Sequence, residues 1–349
     1  MTISQPRKRD SSRPTIREVA RRAQVSPMTV SRTLRDDPGV SEATRARVMD
    51  AVIALGYRPN EAARNLRLGR STGLIGLVVT NLANPFYSQL TLGVEALATE
   101  HGMRVLLGNS GEDPVREGQL VHDFAARRVD GLIVVPCRND HSHLHPDRLG
   151  DMPVVLAASP PVKIDVDAVL LDDFAGTWEA VRHLISQGHT RIAFLGLPAS
   201  TWTGSERFRG YCAALEDAGL LVDDRYVSRQ HSDVAAAELA TYALLDTPDP
   251  PTAIFTANNR YTIGAYRAIR GRDKATALAG FDDFELVDLL AMPLTVVAYD
   301  PREMGVAAAR LLRDRIDNAG SLKVHPARRV VIPTRIVEYG TGFRTPRSG

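Results

Sequence analysis

Side chains able to do chemistry fall in a few short stretches of the 349-residue chain. His141, His143 and His145, with Cys137 and Asp140, offer metal-ligand atoms. Their spacing lacks the patterns that build a tetrahedral site, and solvated loop histidines fit the same sequence, so no metal and no cofactor is expected. No P-loop, GxSxG nucleophile elbow or HExxH pair occurs, and no GxGxxG follows an apolar run. No catalytic residue is assigned, because an enzyme would lack a nameable nucleophile and base. Ser26-Pro27-Met28-Thr29-Val30-Ser31-Arg32 offers something different. Its hydroxyls and backbone amides suit phosphate oxygens, and the guanidinium of Arg32 suits guanine O6 and N7.

Charge supports a polyanion as partner for that stretch. Residues 1–70 hold 15 Lys and Arg against 7 Asp and Glu, a net of +8, which leaves −6 on the remainder. A basic head on an acidic body points to nucleic acid at the head alone, although basic flexible arms share this composition. No apolar run approaches the ~20 residues that span a bilayer. The N-terminus has no apolar signal region, and two cysteines make no disulfide framework. A cytoplasmic protein without membrane contact is expected.

The elements that must position these residues follow from caps and periodicity. Residues 1–14 read as a disordered basic arm. Thr15 and Glu18 form a capping box ahead of Ile16, Val19, Ala20 and Ala23 on one helical face. Ser26-Pro27 starts a second helix with Val30 and Leu34 inward. Ser41 starts a third, burying Val48, Val52 and Leu55 before Gly56 ends it. Three short helices with a tight first turn describe a helix-turn-helix unit. A helical protein-docking module has the same pattern.

The segments EVARRAQVSPMTVSRTL and GYRPNEAARNLR, in this order, resemble the lac repressor/galactose repressor family of bacterial transcriptional regulators, and the resemblance runs to about residue 340. It implies a DNA-binding domain at 15–58, a hinge helix and linker at 59–72, a two-lobed effector-binding and dimerisation domain at 73–340, and a flexible tail at 341–349. Pro27, Met28 and Arg32 take the base-reading positions, with Thr15, Ser26, Thr29 and Ser31 on phosphates. Leu66 takes the place of a minor-groove wedge, with Asn60, Ala63 and Arg67 beside it. Without that context Leu66 reads as a linker residue. Gln24 departs from the glycine common at the turn.

The body alternates apolar runs at 74–80, 104–109, 131–136, 153–158, 168–173, 191–196, 252–257, 275–281 and 294–299 with amphipathic helical stretches. About nine strands and intervening helices imply parallel sheets covered on both faces, in two α/β lobes. The fold class is therefore α/β: a small all-α helix-turn-helix domain followed by a body whose resemblance is periplasmic-binding-protein-like. By that resemblance the chain crosses between lobes near 158–172, 290–300 and 325–332, and ligand sits between the lobes at the carboxyl ends of the strands.

Phe86 and Tyr87 follow the first strand, while Asn258 and Asp282 follow later ones, over the same cleft. Arg207, in GSERFRGY, resembles the family's arginine motif and would fork onto ligand hydroxyls or carboxylates. His231 sits where the family often has an aromatic side chain. Ordinary ion pairing, helix capping and loop solvation fit these residues too. Ala158 and Asn259 stand where relatives often carry acids, which makes a neutral hexose less secure and leaves an anionic or less hydroxylated metabolite open. The resemblance thus implies a ligand-responsive regulator, a repressor, that binds a pseudo-palindromic operator on double-stranded DNA. It would act as a homodimer, with a sugar or sugar-like effector tuning affinity through the hinge. The tail after Glu338 has no leucine heptad, so no tetramer bundle is expected. A solute-binding protein fits residues 71–340 equally well, but not the basic head.

Overall fold

The computed structural model describes residues 14–57, 71–150, 152–229, 233–272, 275–319 and 326–340. Two units divide the chain at Thr72/Gly73. In the first, α1 (Ile16–Ala23) begins with both halves of the capping box: Thr15 N donates to Glu18 Oε2 at 2.7 Å and Glu18 N to Thr15 Oγ1 at 3.4 Å. It ends on Gln24 at φ 55°, ψ 46°. That left-handed conformation costs a side-chain-bearing residue roughly 1–2 kcal/mol. The turn repays it by packing Val25 against the small core.

α2 (Pro27–Thr33) is capped by Ser26, whose Oγ accepts from Thr29 N at 3.0 Å. α3 (Glu42–Leu55) stops at Gly56, φ 62°. Val19, Ala20, Ala23, Val30, Val48 and Ala51 are buried together, with Ile16, Leu34, Val52 and Leu55 against them. Leu34 is only partly buried, because it caps α2 instead of lying inside it.

The second unit contains two six-stranded sheets. β1 (Leu74–Val79), β2 (Arg104–Asn109), β3 (Gly131–Val134), β4 (Val154–Ala157) and β5 (Asp167–Leu171) build the first with a late strand, β11 (Arg329–Ile332), in the order β11-β5-β4-β3-β1-β2. The second holds β6 (Ile192–Gly196), β7 (Val227–Arg229), β8 (Ala253–Thr256), β9 (Ala277–Phe281), β10 (Leu294–Ala298) and β12 (Arg335–Tyr339), in the order β12-β10-β9-β8-β6-β7. Every pairing is parallel except β10 with β12. Helices supply the crossovers: α4 (Pro85–Glu100), α5 (Pro114–Ala126), the single turn α6 (Pro146–Leu149), α7 (Asp173–Ser186), α8 (Trp202–Asp217), α9 (Val234–Leu245), α10 (Asn259–Arg272) and α11 (Pro301–Asp317). No described helix is long and apolar enough to cross a membrane.

The period of two along the strands sorts each sheet's side chains onto two buried faces. Ile75, Leu77, Ile133 and Val155 pack with Leu90, Val94, Met304 and Ala308 of α4 and α11. Val78, Leu132, Val134 and Leu156 pack oppositely, with Val121 and Phe124 of α5. α4 and α11 approach so closely that a Cβ on Gly93 would lie 2.1 Å from Arg302 O, and one on Gly305 2.1 Å from Leu90 O. The second sheet repeats the scheme: Phe194, Phe255 and Phe281 face α7 and α8, while Leu195, Ile254 and Leu278 face α9 and α10.

Among the described residues twelve strands are present where about nine are expected from the apolar runs. The additions, β7, β11 and β12, are short edge strands of mixed polarity whose burial is only partial. The lobes exchange chain after Leu171, after Ala298 and between Ile332 and Arg335. The third crossing lies beyond its expected window because β11 first pairs with β5 as far as Ile332↔Leu171.

Asp167 fastens the first lobe. Its buried carboxylate accepts from Arg315 Nε (3.0 Å) and Nη2 (2.7 Å), Arg328 Nη2 (2.9 Å) and Arg328 N (2.7 Å). Burial alone would raise this carboxyl's pKa, but the bonds from Arg315 and Arg328 hold it below 3.8. The stability it confers is therefore present above that value and is lost as pH falls through the depressed pKa. Asp167→Asn is expected to destabilise the second unit by about 1–2 kcal/mol at pH 7, discounted for the solvent exposure of Arg328. Urea unfolding should show that deficit shrinking at pH 3, and a deficit independent of pH would contradict the assignment.

Candidate functional site

In the first unit, α2 presents its polar side outward. Pro27 and Arg32 are exposed, and Met28 is 67% exposed. Met28 and Arg32 are four residues apart, so they share a helix face. Ser26 Oγ and Thr29 Oγ1 lie 2.9 Å apart at the start of α2, and Thr15 occupies the equivalent cap of α1. Ser31 is half-buried, its carbonyl accepting from Arg35 Nε at 3.0 Å.

Arg32 has a partner that the sequence reading missed. Its Nε and Nη2 donate to Asp37 Oδ2 and Oδ1 at 3.0 and 3.2 Å. Gly39 leaves room for the pair, since a Cβ there would lie 2.4 Å from Arg32 Nη2. The hydrogen bond from Arg32 holds the Asp37 carboxyl below its ordinary range. This is the same two-pronged fork that guanine would accept, held in place by a surface carboxylate. The remaining predicted contacts, Asn60, Ala63, Leu66 and Arg67, lie outside the described residues.

In the second unit, a cavity of about 290 Å³ opens where strand ends from both sheets converge. Thr80 follows β1, Pro136 to Arg138 follow β3, and Ala158 follows β4; Leu197, Asn258, Asp282 and Tyr299 follow β6, β8, β9 and β10. Phe86, Tyr87, Arg207, Asn258 and Asp282 therefore all line one site, while His231 lies outside the described residues. Phe86 and Tyr87 meet edge-on at 4.9 Å, and burial pushes the Tyr87 hydroxyl pKa up to about 12.

Arg207 lines the cavity and already holds partners within the protein. It is 3% exposed, and its bonds are largely taken: Nε donates to Asp173 Oδ1 at 2.7 Å, and Nη1 to Ala257 O at 2.5 Å and to Asp282 Oδ1 at 3.5 Å. The guanidinium carbon lies 3.5 Å from the centre of the Phe281 ring. A cation buried so deeply requires counter-charge. Burial pushes the Asp173 carboxyl up and Arg207 pulls it back. Tyr299 Oη donates to Asp282 Oδ1 at 2.8 Å, and its own pKa is raised well above 10 by burial. Asp173 and Tyr299 went unforeseen. Both sit at lobe crossings, where short irregular sequence carries no periodic signal.

Asn258 lines the cavity and also caps α10, its Oδ1 accepting from Tyr261 N at 2.9 Å. The lobes are bonded across the cleft by Asn259 Nδ2 to Asn84 Oδ1 (3.1 Å) and Asn139 N to Ser200 O (3.2 Å). Trp202, Arg138 and Arg260 also line the cavity without having been singled out from the sequence. The histidines disperse: His141 Nδ1 accepts from Val162 N at 3.1 Å, His143 Nε2 lies 2.9 Å from Glu117 Oε1, and His145 caps α6. No group of three or more potential ligands is placed to hold a metal among the described residues. Cys137 is buried, and burial raises its thiol pKa to about 12, so it is not a poised nucleophile.

Comparison with known proteins agrees with this geometry. Residues 15–60 match the bacterial regulatory proteins of the lacI family, and residues 72–338 match the periplasmic binding proteins and sugar binding domain of the LacI family. The HTH-type transcriptional repressor CytR of Escherichia coli K12 is 30% identical over 88% of this chain and 92% of its own. The ribose operon repressor of the same strain is 34% identical over 86% and 93%. Among solved structures, the transcriptional regulator CelR–cellobiose complex superposes with a TM-score of 0.68 at 31% identity, covering 93% of this chain and 98% of that one. The lac repressor dimer bound to operator and the anti-inducer ONPF superposes at 0.74 with 26% identity and the same coverage. The chain belongs to the lacI family of bacterial regulatory proteins: it is a DNA-binding transcriptional regulator with a periplasmic-binding-protein-like second domain, and not an enzyme.

Proposed function

We infer that the protein is a cytoplasmic repressor that binds a pseudo-palindromic operator as a homodimer and is tuned by a small sugar or sugar-like effector in the inter-lobe cleft. The observation that carries this reading is the pairing, in one chain, of an exposed Met28/Arg32 helix face with a cavity bounded by two lobes. The repressors CytR and of the ribose operon, the cellobiose complex and the operator-bound dimer among its relatives support it. α2 reads base edges through Arg32, with Pro27 and Met28 giving apolar contacts. Thr15, Ser26, Thr29 and Ser31 hold phosphates. Residues 59–72 form the hinge, in which Leu66 enters the minor groove beside Asn60, Ala63 and Arg67.

The coupling follows from population shift. An effector that favours one lobe arrangement moves operator affinity by its differential binding energy for the two arrangements. Asn84–Asn259 and Asn139–Ser200 are the bonds that such a shift would break or keep. Selection of binding sites from a random duplex pool with the full-length protein should return a two-fold symmetric sequence. Salt-sensitive binding to any DNA, with no motif, would reduce the head to a basic tether.

Two variants sharpen the assignment. Arg32→Ala should weaken operator binding roughly ten- to hundredfold and relax preference at one base in each half-site, as read by competition binding against single-base operator variants. Leu66→Ala should weaken operator binding more than binding to random duplex. Equal losses on both DNAs would remove the wedge from the mechanism.

A further inference from the structure

We propose that the cleft takes an anionic effector, a sugar carrying a carboxylate or phosphate, whose charge is held between Arg138 of one lobe and Arg260 of the other. This inference rests on the cleft being the effector site. Five charged side chains line it: Glu112, Arg138, Arg207, Arg260 and Asp282. Arg207 and Asp282 are already satisfied by each other, Asp173, Ala257 and Tyr299. Glu112 accepts from Asn81 Nδ2 at 3.0 Å. Arg138 and Arg260 have no carboxylate within ion-pair distance among the described residues. The Nε of Arg260 is moreover shielded from solvent without a hydrogen-bond acceptor. A buried, charged donor left unmade is costly, and native proteins seldom carry one without a reason.

The surroundings of Arg260 add to the demand for negative charge. It is the second residue of α10, at the positive end of the helix dipole, where a cation is disfavoured unless an anion joins it. α4 and α8 also begin at the cavity, through Phe86 and Trp202. None of these three helices has an acidic residue in its first turn. Three helix N-termini, the exposed Arg138 and the partly buried Arg260 thus line one cavity, and at the shielded Nε of Arg260 a charge-assisted bond gains most. Arg138 follows β3 in the first lobe and Arg260 opens α10 in the second, so one anion joins both and favours the lobe arrangement that brings them together.

Titration calorimetry on the full-length protein tests this with D-glucose, D-glucuronate and D-glucose 6-phosphate, the two acids separating a carboxylate from a phosphate preference. At least one acid should bind roughly tenfold or more tightly than glucose, with affinity falling as salt rises. The double variant Arg138→Gln/Arg260→Gln should lose that preference, and Arg138→Lys/Arg260→Lys should keep part of it. A readout independent of the sugar comes from Trp202, with Trp178→Phe removing the other tryptophan. Normalised to each ion's quenching of free N-acetyltryptophanamide, iodide should quench its fluorescence more than caesium does, and the double Gln variant should level the two. Glucose bound as tightly as either acid, no acid bound, or iodide and caesium quenching alike would overturn the proposal. Operator binding measured alongside separates the two readings. A neutral sugar that shifts operator affinity in the double Gln variant as in the parent leaves the regulator standing without this inference. An acid bound through the two arginines with no effect on operator binding does the reverse.

Discussion

The cleft is organised around one buried cation. Arg207 comes from α8, yet its counter-charges come from the first lobe crossing, Asp173, and from the end of β9, Asp282. Asp282 in turn is fixed by Tyr299, at the second crossing. Removing one partner from such a buried set typically costs about 3–5 kcal/mol, because the remaining charge stays buried. That cost makes the set rigid, and two of the three inter-lobe segments are fastened to it. Two of the residues in left-handed backbone also lie at the cleft. Asp282 and Ala158 hold φ values of 71° and 58°, conformations that persist only where the surroundings impose them.

Against this rigid element, the described hydrogen bonds joining the lobes face to face are the weaker part, beside apolar packing that both lobes share. Asn259–Asn84 and Asn139–Ser200 are neutral hydrogen bonds, each contributing about 1 kcal/mol net. A ligand making two or three bonds to both lobes exceeds that sum. Strong bonding at the crossings with weaker hydrogen bonds across the mouth defines a pivot between two lobes.

The fold was legible wherever periodicity or caps were strong. The long parallel strands are continuous apolar runs because both faces are covered, and the head's helices announce themselves through Thr15, Ser26-Pro27 and Gly56. The edge strands β7, β11 and β12 were hidden, since strands such as Val227–Arg229 owe their form to a neighbour instead of to their own composition. The candidate site was legible as membership and not as wiring. Phe86, Tyr87, Arg207, Asn258 and Asp282 do share one cavity, because strand ends converge there. That Arg207 is consumed by Asp173, 34 residues away in sequence, depends on tertiary packing that no local pattern encodes.

Arginine serves three distinct physical ends in this chain, and burial decides which. Arg207, sealed among carboxylates and the Phe281 ring, cannot exchange its partners without large cost and so acts as framework. Arg32 makes an equally good bidentate pair with Asp37, but at the surface, where solvent screens the attraction and a competing acceptor can displace the carboxylate. Such a pair keeps the guanidinium extended and oriented, which lowers the ordering cost of any recognition it takes part in. Among the described residues Arg138 and Arg260 have neither arrangement, and they line one cavity from different lobes. A guanidinium stays charged throughout the physiological range and cannot relieve its desolvation by losing a proton. Arg138 is exposed and solvated, whereas the shielded Nε of Arg260 is the one that lacks an acceptor.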